Sequence, residues 1–145
     1  FFNPADRMAL VEVIRSLLTS EETFSSALDY ARKLGKEPVV CKDRNGFIAN
    51  RLLVPYLLDA IRAYEEGLAS MEDIDKAMRL GCGHPMGPFA LMDLIGLDVQ
   101  LDVANSMYEE YREPRFAPPP LLRRLVAAGF LGRKTGRGFY EYPSK

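Results

Sequence analysis

Two short stretches near the start of the chain are apolar on both faces of an extended strand. Leu10-Val11-Glu12-Val13-Ile14 is interrupted only by Glu12, and Pro38-Val39-Val40-Cys41 repeats the pattern, as expected of strands buried on both sides in a largely parallel sheet. Between them Phe24, Ala27, Leu28 and Ala31 fall at helical intervals over Ser20 to Leu34, Thr19 and Glu22 stand at capping-box spacing, and Gly35 follows. Strand, helix, strand is the order of a sheet that continues into strands beyond these residues.

After Asn45-Gly46 the period changes to that of helices. Phe47 to Glu66 places Phe47, Val54, Leu58 and Ile61 on one stripe, and Pro55 predicts a kink because its ring removes a backbone donor. Ser70 and Asp73 form a second capping box, opening a helix with Ile74, Ala77 and Met78 inward and Gly81 as its left-handed stop. Pro88 suits a first helical turn, and Phe89 to Ile95 ends at Gly96. Asp98 to Tyr111 presents Leu101, Ala104 and Tyr108 on one side, Pro118-Pro119-Pro120 blocks continuation, and a last helix, Leu121 to Ala128, leads into the glycine-rich tail Gly132 to Gly138. No internal repeat with a period of about 20–50 residues is present.

Composition narrows the partners. With 48% hydrophobic and 27% charged residues the 145-residue chain has the balance of an ordinary globular domain. A net charge of -1 and a pI near 5.9 give no positive field for a phosphate polymer or an anionic membrane, so nucleic acid is not an expected partner. The longest apolar stretch, Leu52 to Leu58, contains Pro55 and is far shorter than the roughly 20 residues that span a bilayer, so no membrane partner is expected. Cys41 and Cys82 form no Cys-x-x-Cys pair, which argues against a disulfide framework or zinc site and fits a reducing compartment. Phe1 and Phe2 open the chain on two large apolar rings that need a partner surface, the expectation for a segment of something larger.

Four positions stand out chemically. Glu12 puts a carboxylate in an oily strand, where it must find a cation or a donor: either a structural arginine or solvent at the strand end, or a histidine that it orients. Asn50 lies early in the Phe47 helix, where its short amide is either solvated or aimed at a ligand. His84, the only histidine, sits among breakers in Gly83-His84-Pro85-Met86-Gly87-Pro88 with no neighbouring carboxylate and reads as structural. Leu121 to Tyr140 carries Arg123, Arg124, Arg133, Lys134 and Arg137 with no acid, so its glycines either form a phosphate-holding nest or a solvated basic face. No Walker loop, Gly-x-Gly-x-x-Gly fingerprint, nucleophile elbow or metal cluster occurs.

Taken together, Phe1-Phe2-Asn3-Pro4, Met8 to Ile14, Asp43 to Tyr56 with Gly46-Phe47-Ile48 and Asn50-Arg51, Glu72 to Met78, Gly83 to Pro88, and Gly132-Arg133-Lys134-Thr135-Gly136 with Gly138-Phe139-Tyr140 resemble the 3-hydroxyacyl-CoA dehydrogenases over nearly the whole chain. The resemblance implies a mainly α protein: a helical C-terminal dehydrogenase domain of the 6-phosphogluconate dehydrogenase C-terminal type over residues 45–145, for substrate and dimerisation. Residues 1–44 would be the strand-helix-strand C-terminal remnant of a Rossmann-type NAD-binding domain. It further implies NAD as cofactor, bound mainly by an N-terminal domain, an acyl-CoA substrate, a homodimer formed through the helical domain, and a role in fatty acid β-oxidation or butanoate metabolism in the cytoplasm or, in a eukaryote, the mitochondrial matrix.

In the family a histidine base directly precedes the Phe-Phe-Asn-Pro motif, so these 145 residues alone are expected to be inactive. The resemblance makes Glu12 the partner of that histidine and brings Asn50 close to the substrate oxygen. It assigns Asn3 a place near the nicotinamide and Lys134 to cofactor binding. Ala9 and Asn45 depart from the lysine and proline that many relatives carry there. Two other readings stand beside this one: a sugar-acid (gulonate-type) dehydrogenase of the same superfamily, and a non-catalytic helical oligomerisation fragment.

Overall fold

The computed structural model describes residues 1–143. The chain divides into two compact units, Phe1–Arg51 and Leu52–Lys145. In the first, strand β1 (Leu10–Arg15) pairs in parallel with β2 (Glu37–Lys42), Leu10 opposite Glu37 and Arg15 opposite Lys42, with helix α1 (Glu21–Lys33) as the crossover that a parallel pair requires. Val11 and Val13 point to one face and are buried with Phe24 and Ala31 of α1. The expected burial on both faces is not met: one helix covers one face, Glu12 and Ile14 are half-buried, and Val40 is 56% exposed.

Helix α1 also corrects the predicted cap. Ser20, in extended conformation, accepts from the amide of Thr23 at 3.1 Å, whereas Thr19 Oγ1 accepts from Ser16 N in the preceding turn. The capping-box spacing at Thr19 and Glu22 was one residue early: Thr19 Oγ1 is taken up by Ser16, and Ser20 directly precedes the first helical residue.

Helix α2 (Ala49–Glu65) runs through Pro55 as a single helix. It begins two residues later than the hydrophobic stripe predicts: Phe47 is 38% exposed and has φ of 44°, so it belongs to the turn and not to the buried stripe. The residues that α2 does bury are Val54, Leu57, Leu58, Ala60 and Ile61.

In the second unit follow α3 (Met71–Gly81), α4 (Pro88–Ile95), α5 (Leu97–Tyr111), a 3-10 turn at Pro114–Phe116, α6 (Pro120–Ala127) and a 3-10 turn at Arg133–Thr135. Ser70 caps α3 through the Asp73 amide, as its spacing predicts, and Pro88 occupies the first turn of α4 behind Gly87. The left-handed residue after α3 is Gly83, not Gly81, because Gly81 is the last helical residue and Cys82, its cap, keeps right-handed backbone before the chain turns. Phe89, Met92, Leu97, Ala104, Met107, Phe116 and Leu122 close around the buried face of α2 to make the main core. The architecture is therefore mainly α, with a helical C-terminal portion preceded by one strand-helix-strand unit. No helix among the described residues is long and apolar enough to cross a membrane.

Candidate functional site

Glu12 leaves β1 toward the start of α2. Its Oε1 accepts from the amides of both Ile48 and Ala49, each at 2.9 Å. These are among the amides that no helical carbonyl can satisfy, so the carboxylate serves as a cap supplied from 36 and 37 residues away. The half-buried acid has found backbone donors in place of the arginine or open solvent considered from sequence. Its Oε2 makes no hydrogen bond to another described residue.

Asn50 is the second residue of α2, directly after the amide that Glu12 holds. It is exposed, and its side chain engages no other described residue. The first unit thus brings two of the candidate residues to one helix start. Asn3 lies in the exposed loop before β1, and its side-chain amide likewise makes no hydrogen bond to the described residues.

Lys134 belongs to the second unit. Its ammonium sits 2.6 Å from both carboxylate oxygens of Asp98, at the N-terminal turn of α5, and this pair holds the Asp98 carboxyl below the usual carboxylate range. Most amides of the glycine-rich tail are already engaged within the chain. The amides of Gly132, Thr135, Gly136 and Gly138 donate to main-chain carbonyls within the tail, and those of Phe139 and Tyr140 donate to Asp93. Arg137 stacks over Phe130 with its guanidinium 4.2 Å from the ring centre, and Arg133 lies over Tyr142. His84 Nδ1 lies 3.1 Å from the Tyr56 hydroxyl, and the two rings meet edge to face.

Two buried acids escaped the sequence reading. Asp75 is 8% exposed and caps α4, taking Phe89 N at 2.8 Å and Ala90 N at 3.1 Å, with the Tyr140 hydroxyl 3.1 Å away. Asp93 is 1% exposed and accepts from Phe139 N, Tyr140 N and the Tyr142 hydroxyl. A Cβ at Gly87 would overlap Asp75, and one at Gly138 would overlap the Asp93 carboxylate, which is why glycine recurs in both motifs. The signal was present: Asp93 interrupts the apolar run Phe89 to Ile95 as Glu12 interrupts its strand.

Comparison with known proteins fits these motifs to one family. The model of the 3-hydroxyacyl-CoA dehydrogenase C-terminal domain matches residues 46–142, and that of the 3-hydroxyacyl-CoA dehydrogenase NAD binding domain matches residues 1–44. The human mitochondrial hydroxyacyl-coenzyme A dehydrogenase is 54% identical over 98% of this chain and 46% of its own length. A Mycobacterium tuberculosis 3-hydroxybutyryl-CoA dehydrogenase is 53% identical over 98% of this chain and 50% of its own. The crystal structure of (S)-3-hydroxybutyryl-CoA dehydrogenase PaaH1 from Ralstonia eutropha superposes with a TM-score of 0.96 at 50% identity, over 99% of this chain and 51% of that one. The chain spans about half the length of the curated relatives it matches. With both domain models matched and identity above half along nearly every residue, the chain belongs to the 3-hydroxyacyl-CoA dehydrogenase family.

Proposed function

We propose that the protein carrying this chain oxidises (3S)-3-hydroxyacyl-CoA to 3-ketoacyl-CoA with NAD, or runs the reverse reduction, in fatty acid or butanoate metabolism. Residues 1–44 belong to its NAD-binding domain and residues 45–145 form its helical substrate and dimerisation domain. The observation that carries this reading is Glu12, whose one oxygen is fixed by the start of α2 while the other is free, one residue before the unengaged amide of Asn50.

The oxidation requires a base to take the 3-hydroxyl proton as hydride leaves C3. An imidazole preceding Phe1, as in the family order, is that base, and Glu12 Oε2 accepts its N–H, fixing the tautomer and balancing the charge that develops on the ring. Because Oε1 is anchored to two backbone amides, the carboxylate is held before substrate arrives, with less side-chain entropy to remove in the transition state. The Asn50 amide donates to the substrate oxygen.

The cofactor, when bound, supplies the hydride acceptor. The parallel β1-α1-β2 unit is of the kind that extends a nucleotide-binding sheet, and the unengaged Asn3 amide is free to meet the nicotinamide. Lys134 reaches a cofactor only by exchanging its bond to Asp98. Exposed Leu94 and Val99, with Ile95, form an apolar edge around the α4–α5 junction that supports assembly with a second copy. Relatives named as mitochondrial support a matrix or, in bacteria, cytoplasmic setting.

NADH formation from (S)-3-hydroxybutyryl-CoA by the full-length protein tests the reading. Glu12→Gln keeps an oxygen able to hold Ile48 and Ala49 but loses the charge facing the imidazole. It is expected to lower kcat by about tenfold or more with NAD affinity nearly unchanged. A Gln variant with unaltered kcat removes Glu12 from the reaction.

A further inference from the structure

The loop from Phe1 to Ala9 carries Asn3 and leads directly into β1 and Glu12, yet it has almost no packing of its own. Every residue in it is exposed except the half-buried Phe2. Its shape rests on polar contacts. Arg7 N and Met8 N both donate to Pro4 O, at 3.1 and 3.0 Å, closing a turn, and Glu37 N donates to Ala9 O at 2.8 Å where the loop joins the sheet.

One side chain reaches this loop from elsewhere. Lys36 follows the left-handed Gly35 at the end of α1, a reversal that directs it back across the sheet. Its Nζ donates to Ala5 O at 2.6 Å and to Met8 O at 3.0 Å. Both acceptors belong to the closed turn, whose carbonyls present the negative end of their dipoles, and an ammonium with three donors suits two of them at once. The contacts span 31 and 28 residues, so they tie the loop to the far end of the crossover helix.

We propose that Lys36 is a positioning residue for the reaction proposed above, on which this inference rests. By clamping Ala5 and Met8 it fixes the loop that bears Asn3 and that would join the preceding base to Glu12. A loose loop leaves acyl-CoA affinity largely intact but spoils the alignment of base, acid, substrate and nicotinamide. Misplacement of that order costs far more in rate than in stability. The exposed carbonyls can turn to water once the ammonium is gone, so the fold itself loses little.

The test compares Lys36→Met and Lys36→Arg with the unmutated full-length protein. Lys36→Met is expected to lower kcat about tenfold, with KM for acyl-CoA changed by less than about twofold and the melting temperature within a few degrees. Lys36→Arg, which keeps a cationic donor, should recover most of the loss. Unchanged kcat in Lys36→Met, or a loss confined to KM or to melting, overturns the proposal. Failure of the dehydrogenase reading shows separately, as absent turnover by the unmutated protein. The clamp is then judged by hydrogen exchange: Arg7 and Met8 amides should exchange at least about tenfold faster in Lys36→Met, and equal rates would refute it.

Discussion

Asp93 lies almost wholly inside the helical unit and keeps three donors around its carboxylate: two main-chain amides and the hydroxyl of Tyr142. Burial, and then the bond to Asp93, push the Tyr142 hydroxyl up to about 12, while Arg133 works in the opposite sense. Burial and the nearby Asp75 raise Tyr140 as well. The neutral phenol is therefore favoured in the folded chain. Below the unfolded value of 10.0 both states hold the proton and this stabilisation is complete; between there and about 12 the unfolded chain deprotonates first, so stability falls as pH rises through that window. Urea midpoints measured from about pH 9 to 12 should decline more shallowly in Tyr142→Phe than in the unmutated chain. Equal slopes would mean that Tyr142 titrates as if free.

At the level of elements, local chemistry explains the starts of α1 and α3. Ser20 and Ser70 each accept the amide three residues on, so Ser20→Ala and Ser70→Ala should each cost about 1 kcal/mol in chemical denaturation. Thr19→Ala, outside the cap, should stay within about 0.5 kcal/mol; a larger loss would restore Thr19 as the cap. These signals lie within four residues of each other, which is why the sequence pattern locates α1, α3 and α4 closely. The start of α2 was not legible in the same way. Its cap is Glu12, and a helix ended by a side chain on a distant strand leaves no trace in nearby residues. The hydrophobic stripe then drew Phe47 into a helix whose backbone begins only after it. For the same reason Glu12 was visible as an anomaly while its donors were not, and Lys36 escaped notice because a lysine beside a glycine is unremarkable until its reach is known.

At the scale of the whole chain, the two units differ in how much they bury. Among the described residues, the first has four buried apolar residues around one helix and two strands, and the second has twelve around α2. Local opening of the first should therefore be much easier, since few contacts need to break. In the 145-residue chain, amides of β1 are expected to exchange about a hundredfold faster than those around Ala104 and Met107. Comparable protection in β1 would show that the sheet unit draws stability from more than its own core.

Tyr140 is held at both extremities, its main-chain nitrogen by Asp93 and its phenol by Asp75, while Asp75 also receives the first amides of α4. The tail consequently behaves like a drawstring through the helical unit. Loss of the segment from Tyr140 onward would slacken α3 and α4 together, and drift in Gly136 to Tyr142 should be as restricted as drift in the hydrophobic interior.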